Sequence, residues 1–460
     1  MVKVKNKDEL LRNVETSLNR KARRIALDVI ETTLDAVDPK NIIKSKISLC
    51  KDKLHVNGRV FDLASFNKIF VVGGGKASGS MAEALEGILG SKIEDGYIVV
   101  PHGESKKYTV SRIKILEGSH PIPKENSVEN AKKILDFVSH AGERDLVIGL
   151  ISGGGSALMA LPCEGISLAD KQKVTDMLLK SGATINEINT VRKHLSNFKG
   201  GRLARAVYPA TLLTLLLSDV LGDPLDVIAS GPTVPDSTTF GDAVNILEKY
   251  DLWNKIPESI KKILLSGVKG LVAETPKSDD PAFKRVFNVI VGNNRVACES
   301  ALDALKDFRL NTLLLTSFLE GEARYVGSVI GGVAKEISTS GNPVSPPAGI
   351  IAGGETTVTV VGNGRGGRNQ EICLGAALKI QGLDRVVLAS VSTDGVDGPT
   401  DAAGAVVDGK TISRSEKLGL NAEEALKEND SYTFFSKIND LILTGPTGTN
   451  LNDITILIVI

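Results

Sequence analysis

Apolar runs of four to eight residues alternate along the chain with stretches whose apolar positions recur at helical spacing, which is the α/β pattern. Residues 8–37 carry Leu11, Val14, Leu18, Ala22, Ile25, Val29 and Ile30 at that spacing and read as an opening amphipathic helix, broken once. A strand at 69–72 then leads into a glycine turn and a helix near 81–88. Strands at 97–100 and 113–116 and a helix at 128–138 follow. The strand at 145–151 opens a second glycine turn, before a helix at 168–179 and a buried strand at 211–217. After a polar tract the alternation resumes: strand 286–291, helix 295–305, strand 312–315, helix 322–337, a hairpin-like pair over 349–361, a helix from Asn369 and a strand at 385–390. The closing strand, 455–460, is able to join either half's sheet. Residues 276–281 string together Pro276, Lys277, Ser278, Asp279, Asp280 and Pro281, a composition typical of a boundary. The expected division is 1–255 as one domain, 256–285 as a linker or hinge, and 286–460 as the second.

Four glycine-rich turns, each launched from an apolar strand, change this from a fold reading to a functional one. They are Gly73-Gly74-Gly75-Lys76, Ser152-Gly153-Gly154-Gly155-Ser156, Gly353-Gly354-Glu355 and Gly362-Asn363-Gly364-Arg365-Gly366-Gly367-Arg368. Glycines at a strand exit allow tight turning and close backbone approach to a ligand, and a following helix start adds partial positive charge. Such turns also serve as plain strand-to-helix connections. Several in one chain suit a substrate with several phosphates.

Composition narrows the class. With 460 residues and 42% hydrophobic content the chain exceeds what one core holds, since cores stop growing at about 250–300 residues. Lys+Arg and Asp+Glu balance at 55 each, so no global field draws it to nucleic acid or membrane. Cys50, Cys163, Cys298 and Cys373 stand far apart without a CxxC pair, which argues against a zinc site and for thiols in a reducing compartment. The charged start lacks the apolar core of a signal peptide and no run reaches membrane-span length, so the cytoplasm is the expected location.

The first glycine turn spaces as GxGxxxG, one residue longer than the dinucleotide fingerprint, and Phe70 stands where a P-loop needs glycine. Lys76 at its mouth is either a solvated helix-start lysine or a cation for a substrate carboxylate or a transferring phosphoryl group. The second turn is not a nucleophile elbow, because Leu158 occupies the last glycine position; Ser152 and Ser156 suit a phosphate cradle or a tight turn. Arg192, Lys193, His194, Lys199 and Arg202 concentrate positive charge among glycines, as a solvated face or an anion site, with His194 a packed or capping residue. Asp219 and Asp394 each end an apolar strand, where α/β ligand crevices form, and each suits a magnesium ion or an Asp-Gly turn. Arg365 and Arg368 in a flexible glycine frame before a helix start form an anion clamp.

These segments, with Ala229-Ser230-Gly231-Pro232-Thr233, Gly366-Gly367-Arg368-Asn369-Gln370-Glu371, Ser392-Thr393-Asp394-Gly395-Val396-Asp397 and Thr447-Gly448-Thr449-Asn450, strongly resemble the glycerate 2-kinase family in content and order. The resemblance implies a Rossmann-like N-terminal domain, a C-terminal α/β MOFRL domain and an active site in the cleft between them. It implies ATP-dependent, Mg²⁺-assisted phosphorylation of D-glycerate to 2-phosphoglycerate. The essential lysine falls on Lys76 and the essential arginine on Arg368. Gly73, Gly74, Gly75, Gly153, Gly154, Gly155, Gly366 and Gly367 are then expected at the nucleotide, Arg192, Ser152 and Ser156 at the glycerate, and Asp219 and Asp394 at the metal. D-glycerate and ATP are the expected partners, with neither nucleic acid nor membrane involved and a homodimer as the assembly. A nicotinamide-dependent hydroxypyruvate reductase, a kinase acting at the 3-position and a non-catalytic sensor are the competing readings.

Overall fold

The structure, a computed structural model, describes residues 2–460 and divides into two units. One unit is Pro39–Val291. It begins with an antiparallel meander of β1 (Ile47–Cys50), β2 (Lys53–Val56) and β3 (Arg59–Asp62). Its main sheet contains β4 (Ile69–Gly74), β5 (Ile93–Pro101), β6 (Ile113–Gly118), β7 (Leu146–Ile151), β8 (Thr211–Leu217) and β9 (Val286–Gly292), in the spatial order β6-β5-β4-β7-β8-β9. The pairs β5–β6, β4–β5, β4–β7 and β7–β8 are parallel. Every residue of β7 and β8 is buried, as expected when helices cover both faces of a parallel sheet. This is the doubly wound order of a Rossmann-like domain, reversing direction between β4 and β7. Register pairs Gly74 with Ile151, so the glycine turns leaving these two strands emerge side by side at the reversal point.

The other unit joins residues 2–38 to Gly292–Ile460. Its sheet runs β10-β11-β15-β12-β13-β14, formed by β10 (Asn311–Leu319), β11 (Ala348–Gly354), β12 (Val386–Ser392), β13 (Gly404–Asp408), β14 (Leu441–Ile442) and β15 (Asp453–Val459). The closing strand β15 lies at the centre, antiparallel to β11 and β12, which settles the sheet it joins. Ile350, Leu388 and Leu457 pack with Ala323, Ile330 and Leu374 of the helices Ala323–Ser340 and Arg368–Ile380. The alternate strand residues Ile351, Val387 and Ile458 are equally buried on the opposite face.

Three sequence expectations need correction. Residues 2–38 form the broken helix foreseen, Lys7–Arg12 and Ser17–Ala36, but belong to the unit of the C-terminal half. Arg23, fully buried, donates from Nε to Asp408 at 2.9 Å and from Nη1 to Asp440 at 2.6 Å, and Arg414 braces the same two carboxylates. A buried guanidinium requires such partners, and they lie in the distant part of the chain.

The segment 256–285 is not a linker. It holds the helix Glu258–Val268, whose Ile260 and Leu264 pack in a core with Phe240 and Leu247, and Pro276 accepts a bond from the Asp236 N–H. Strand β9 then joins the first sheet instead of opening the second domain. Nor is 349–361 a hairpin: β11 ends at Gly354, and its neighbours are β10 and β15.

Candidate functional site

The turns after β4 and β7 are locked together. The Lys76 N–H donates to the Gly153 carbonyl at 2.9 Å, and the Ala77 N–H donates to Ser152 Oγ at 3.0 Å. Ser78 Oγ reaches both the Leu150 carbonyl and Ser152 Oγ. Ser152 is therefore buried inside the turn, its hydroxyl serving the start of the helix Ser78–Leu89; as a substrate ligand it is corrected. Glycine is required at Gly75, with φ +154°, because a Cβ there would lie 2.1 Å from Ser152 Oγ. Lys76, by contrast, is exposed. Its side chain and the His120 ring both border Gly154, and burial together with the Lys76 charge lowers the His120 pKa below its ordinary value. The His120 ring beside Lys76 was not foreseen in the sequence.

Ser156, in the short helix Gly155–Leu158 after the second turn, gathers the basic segment. Arg192 Nη2 donates to its hydroxyl, and Lys199 Nζ lies 2.7 Å from both its Oγ and its carbonyl. Ser230 Oγ is 3.0 Å from Ser156 Oγ and also donates to Asn189. Ala229 and Ser230 hold φ of +51° and +62°, left-handed conformations that cost non-glycine residues about 1–3 kcal/mol and that cluster at functional sites. The helix Ile185–His194, started by a Thr184–Glu187 capping box, presents Arg192 here. Its other basic side chains are structural. Lys193 is buried against Asp236 at 2.7 Å, and His194 bonds the Thr190 carbonyl and Glu274 and packs on Phe240. His194 is thus the packed residue foreseen.

In the second unit, Arg368 opens the helix Arg368–Ile380 and is gripped by carboxylates. It donates to Asp453 through Nε at 2.5 Å and Nη2 at 3.0 Å, and to Glu355 through Nη1 at 2.6 Å. Burial disfavours its charge, but Asp453 and then Glu355 outweigh that and raise its pKa. Sheet register places Asp453 opposite Gly354 and Ser392, so this cluster sits where β11 and β12 end. Asp397 accepts from the backbone N–H groups of Asn369 and Gln370 and caps the same helix.

The glycine frame here is tight, not flexible. A Cβ on Gly366 would lie 2.2 Å from Ser431 Oγ, and one on Gly367 2.3 Å from the Asp397 carboxyl. Arg365 is exposed, stacks over Tyr432 at 4.4 Å and donates to the Pro399 carbonyl.

Among the described residues no group of three or more His, Cys, Asp or Glu is arranged to hold a metal. Magnesium needs fewer, since one or two carboxylates suffice when substrate oxygens and water complete its shell. The Asp219 carboxylate lies against Gly153 in the second glycine turn, and a Cβ on Gly153 would come within 2.1 Å of its Oδ2. A hard oxygen donor beside a phosphate-type cradle fits such an ion. Asp394 Oδ1 already accepts from Ser392 Oγ and the Val396 N–H, which is the Asp turn the sequence allowed.

Beyond the turns, the Pro39–Val291 unit holds a pocket of about 630 Å³ lined in part by Ser156, Arg192, Lys199 and Lys171. Lys171 escaped the sequence reading, although a signal existed. It shares a helix face with the buried Val174 and Leu178, where an apolar residue is the norm.

A doubly wound α/β unit with interlocked glycine turns at its reversal point, together with a second α/β unit, defines a class of two-unit α/β proteins. Comparison places the chain within that class. Residues 25–265 match a domain of unknown function (DUF4147) and residues 348–453 match the MOFRL family. The chain is 46% identical over 438 residues to the glycerate 2-kinase of Pyrococcus horikoshii, covering 95% of this chain and 97% of that protein. It is 44% identical over 391 residues to a putative hydroxypyruvate reductase of Agrobacterium vitis, covering 85% of this chain and 86% of that protein. The crystal structure of a glycerate kinase from Thermotoga maritima superposes with a TM-score of 0.86 at 42% identity, covering 95% of this chain and 99% of that one. The chain belongs to the glycerate 2-kinase family. No helix among the described residues is long and apolar enough to cross a membrane.

Proposed function

We propose that the protein catalyses ATP-dependent phosphorylation of D-glycerate, giving 2-phosphoglycerate and ADP. The observation that carries this is the exposed Lys76 on the interlocked turns of β4 and β7, where an α/β sheet reverses and ligands bind. In the reaction the glycerate hydroxyl oxygen bonds to the γ-phosphorus, the bond from that phosphorus to the ADP oxygen breaks, and the hydroxyl proton leaves. Such transfer needs positioning and positive charge more than covalent help. Lys76 and Arg368 are the two cations assigned to the developing charge. Gly73, Gly74, Gly75, Gly153, Gly154 and Gly155 bring backbone close to the nucleotide, and Gly366 and Gly367 are assigned to it by motif. Arg192 and Ser156 take the glycerate carboxylate.

Asp219 is the residue proposed to hold Mg²⁺, with Asp394 as the second acidic position. When bound, the ion would neutralise phosphate charge. The compartment proposed is the cytoplasm, which suits four free cysteines, three of them buried.

The name of the Agrobacterium relative keeps a reductase reading in view. The first glycine turn argues against it, because no acidic residue follows β5 before Glu104 to hold a nicotinamide ribose. ADP release on mixing protein, ATP, Mg²⁺ and D-glycerate tests the proposal. Oxidation of a reduced nicotinamide by hydroxypyruvate, with no ADP release, supports the reductase instead.

A further inference from the structure

The pocket beside Ser156 is lined by basic and apolar residues, and no carboxylate pairs with its two buried lysines, Lys171 and Lys199. Lys171 is 6% exposed and its Nζ makes no hydrogen bond. Lys199 is 1% exposed and reaches only Ser156. The titratable groups acting on Lys171 are Cys163, Arg192 and Arg202, and those acting on Lys199 are Arg192 and Lys171, with no carboxylate among them. Burial, foremost, pushes Lys171 down to about 7 and Lys199 well below its ordinary value. Elsewhere in the unit a buried lysine is paired, as Lys193 is with Asp236. Burial lets these lysines shed their protons while the pocket is empty, and an anionic ligand is the partner that would restore their charge.

The same pocket is lined by Pro121, Ile122, Pro123, Leu168 and Leu179 and by Asp176, which pairs with Lys180 at 2.8 Å, and Ile122 and Leu179 are exposed at 65% and 62%. A volume of about 630 Å³ lies within the range of pockets that enclose drug-sized ligands, far more than a three-carbon acid fills.

We propose that this pocket binds hydroxy acids with carbon chains longer than that of glycerate, the carboxylate held by Lys171 and Lys199 together with Arg192 and Ser156, and the chain lying along the Ile122–Leu179 wall. The inference rests on the acceptor-site reading above and extends it by two cations and a substrate class. The carboxylate enters as the counter-ion that Lys171 lacks, and each added methylene gains from leaving water.

Calorimetric titration of the full chain, without ATP, with D-glycerate and with 2-hydroxyhexanoate tests it. The expected result is binding of both acids by the wild type, severalfold tighter for the longer one. Lys171→Met should weaken both at least tenfold. Leu179→Asp, at an exposed position, should weaken only the longer acid. Equal affinity of Lys171→Met and wild type, or a longer acid that binds no better than glycerate, overturns the proposal. Because ATP is absent, failure of the kinase reading leaves this result untouched.

Discussion

Ser152 Oγ accepts the backbone N–H of Ala77 at 3.0 Å, so the start of one helix is capped by a residue on a neighbouring strand exit. The two strands are adjacent only because the sheet reverses its winding between them. The bond therefore ties the position of Lys76 to the topology of the fold. Replacing Ser152 with Ala strands a buried N–H, and the expected loss is about 1–3 kcal/mol of stability together with reduced turnover. Urea unfolding and steady-state kinetics on the same preparation check this; unchanged stability would show that the bond does not hold the turns.

The Lys76 backbone N–H ties the two turns together, while its side chain is exposed. Lys76→Ala should keep the wild-type unfolding midpoint while turnover with D-glycerate falls about a hundredfold or more, the scale of losing one charge-stabilising donor. Near-normal turnover in the folded variant removes Lys76 from the chemistry.

Arg23 answers a different question, namely where the first helices belong. Its partners Asp408 and Asp440 lie 385 and 417 residues away along the chain, and all three side chains are fully buried. Arg23→Ala leaves two buried carboxylates with Arg414 as their remaining cation, and the expected cost is about 3–5 kcal/mol. A loss below about 1 kcal/mol, typical of exposed pairs, would contradict the buried network.

Lys171 gives stability a pH dependence of defined sign. The unfolded side chain keeps its proton up to about pH 10.5, whereas burial in the fold brings release near pH 7. Between these values the unfolded state binds more protons, so the penalty for burying Lys171 is complete below about pH 7 and vanishes as pH rises toward about 10.5. In the absence of ligand, Lys171→Met should therefore exceed the wild type in stability at neutral and lower pH, the gap closing through alkaline pH. Chemical denaturation across that range checks it; a gap that is constant with pH denies that Lys171 is buried as a cation at neutral pH.

Much of the fold was legible because parallel strands buried on both faces read as continuous apolar runs. Residues 145–151 and 211–217 are such runs, and they became β7 and β8. Domain membership was not legible from order along the chain. The helix Ser17–Ala36 shows its apolar face in the sequence, but nothing local shows that Arg23 needs Asp408 and Asp440. Likewise the polar composition of 256–285 resembled a linker, while contacts of Ile260, Leu264 and Pro276 made it part of a core.

At the site, the glycine turns and Lys76 stood out because glycine and lysine at a strand exit are unusual for packing alone. Ser152 looked like a ligand because a hydroxyl in a glycine turn serves substrate and backbone equally well, and only the third dimension shows which. Lys171 was the informative oversight. A lysine in line with Val174 and Leu178 breaks the apolar stripe, and that irregularity marked the pocket.

Transfer of a phosphoryl group from ATP to the 2-hydroxyl of D-glycerate is the reaction proposed for this protein. Purified protein with ATP, Mg²⁺ and D-glycerate, coupled to enolase with and without phosphoglycerate mutase, tests it most directly. ADP release and enolase turnover without the mutase are the expected results, since 2-phosphoglycerate is enolase's substrate. Turnover that requires the mutase would place the phosphate on the 3-position, and absence of ADP release would contradict the kinase assignment itself.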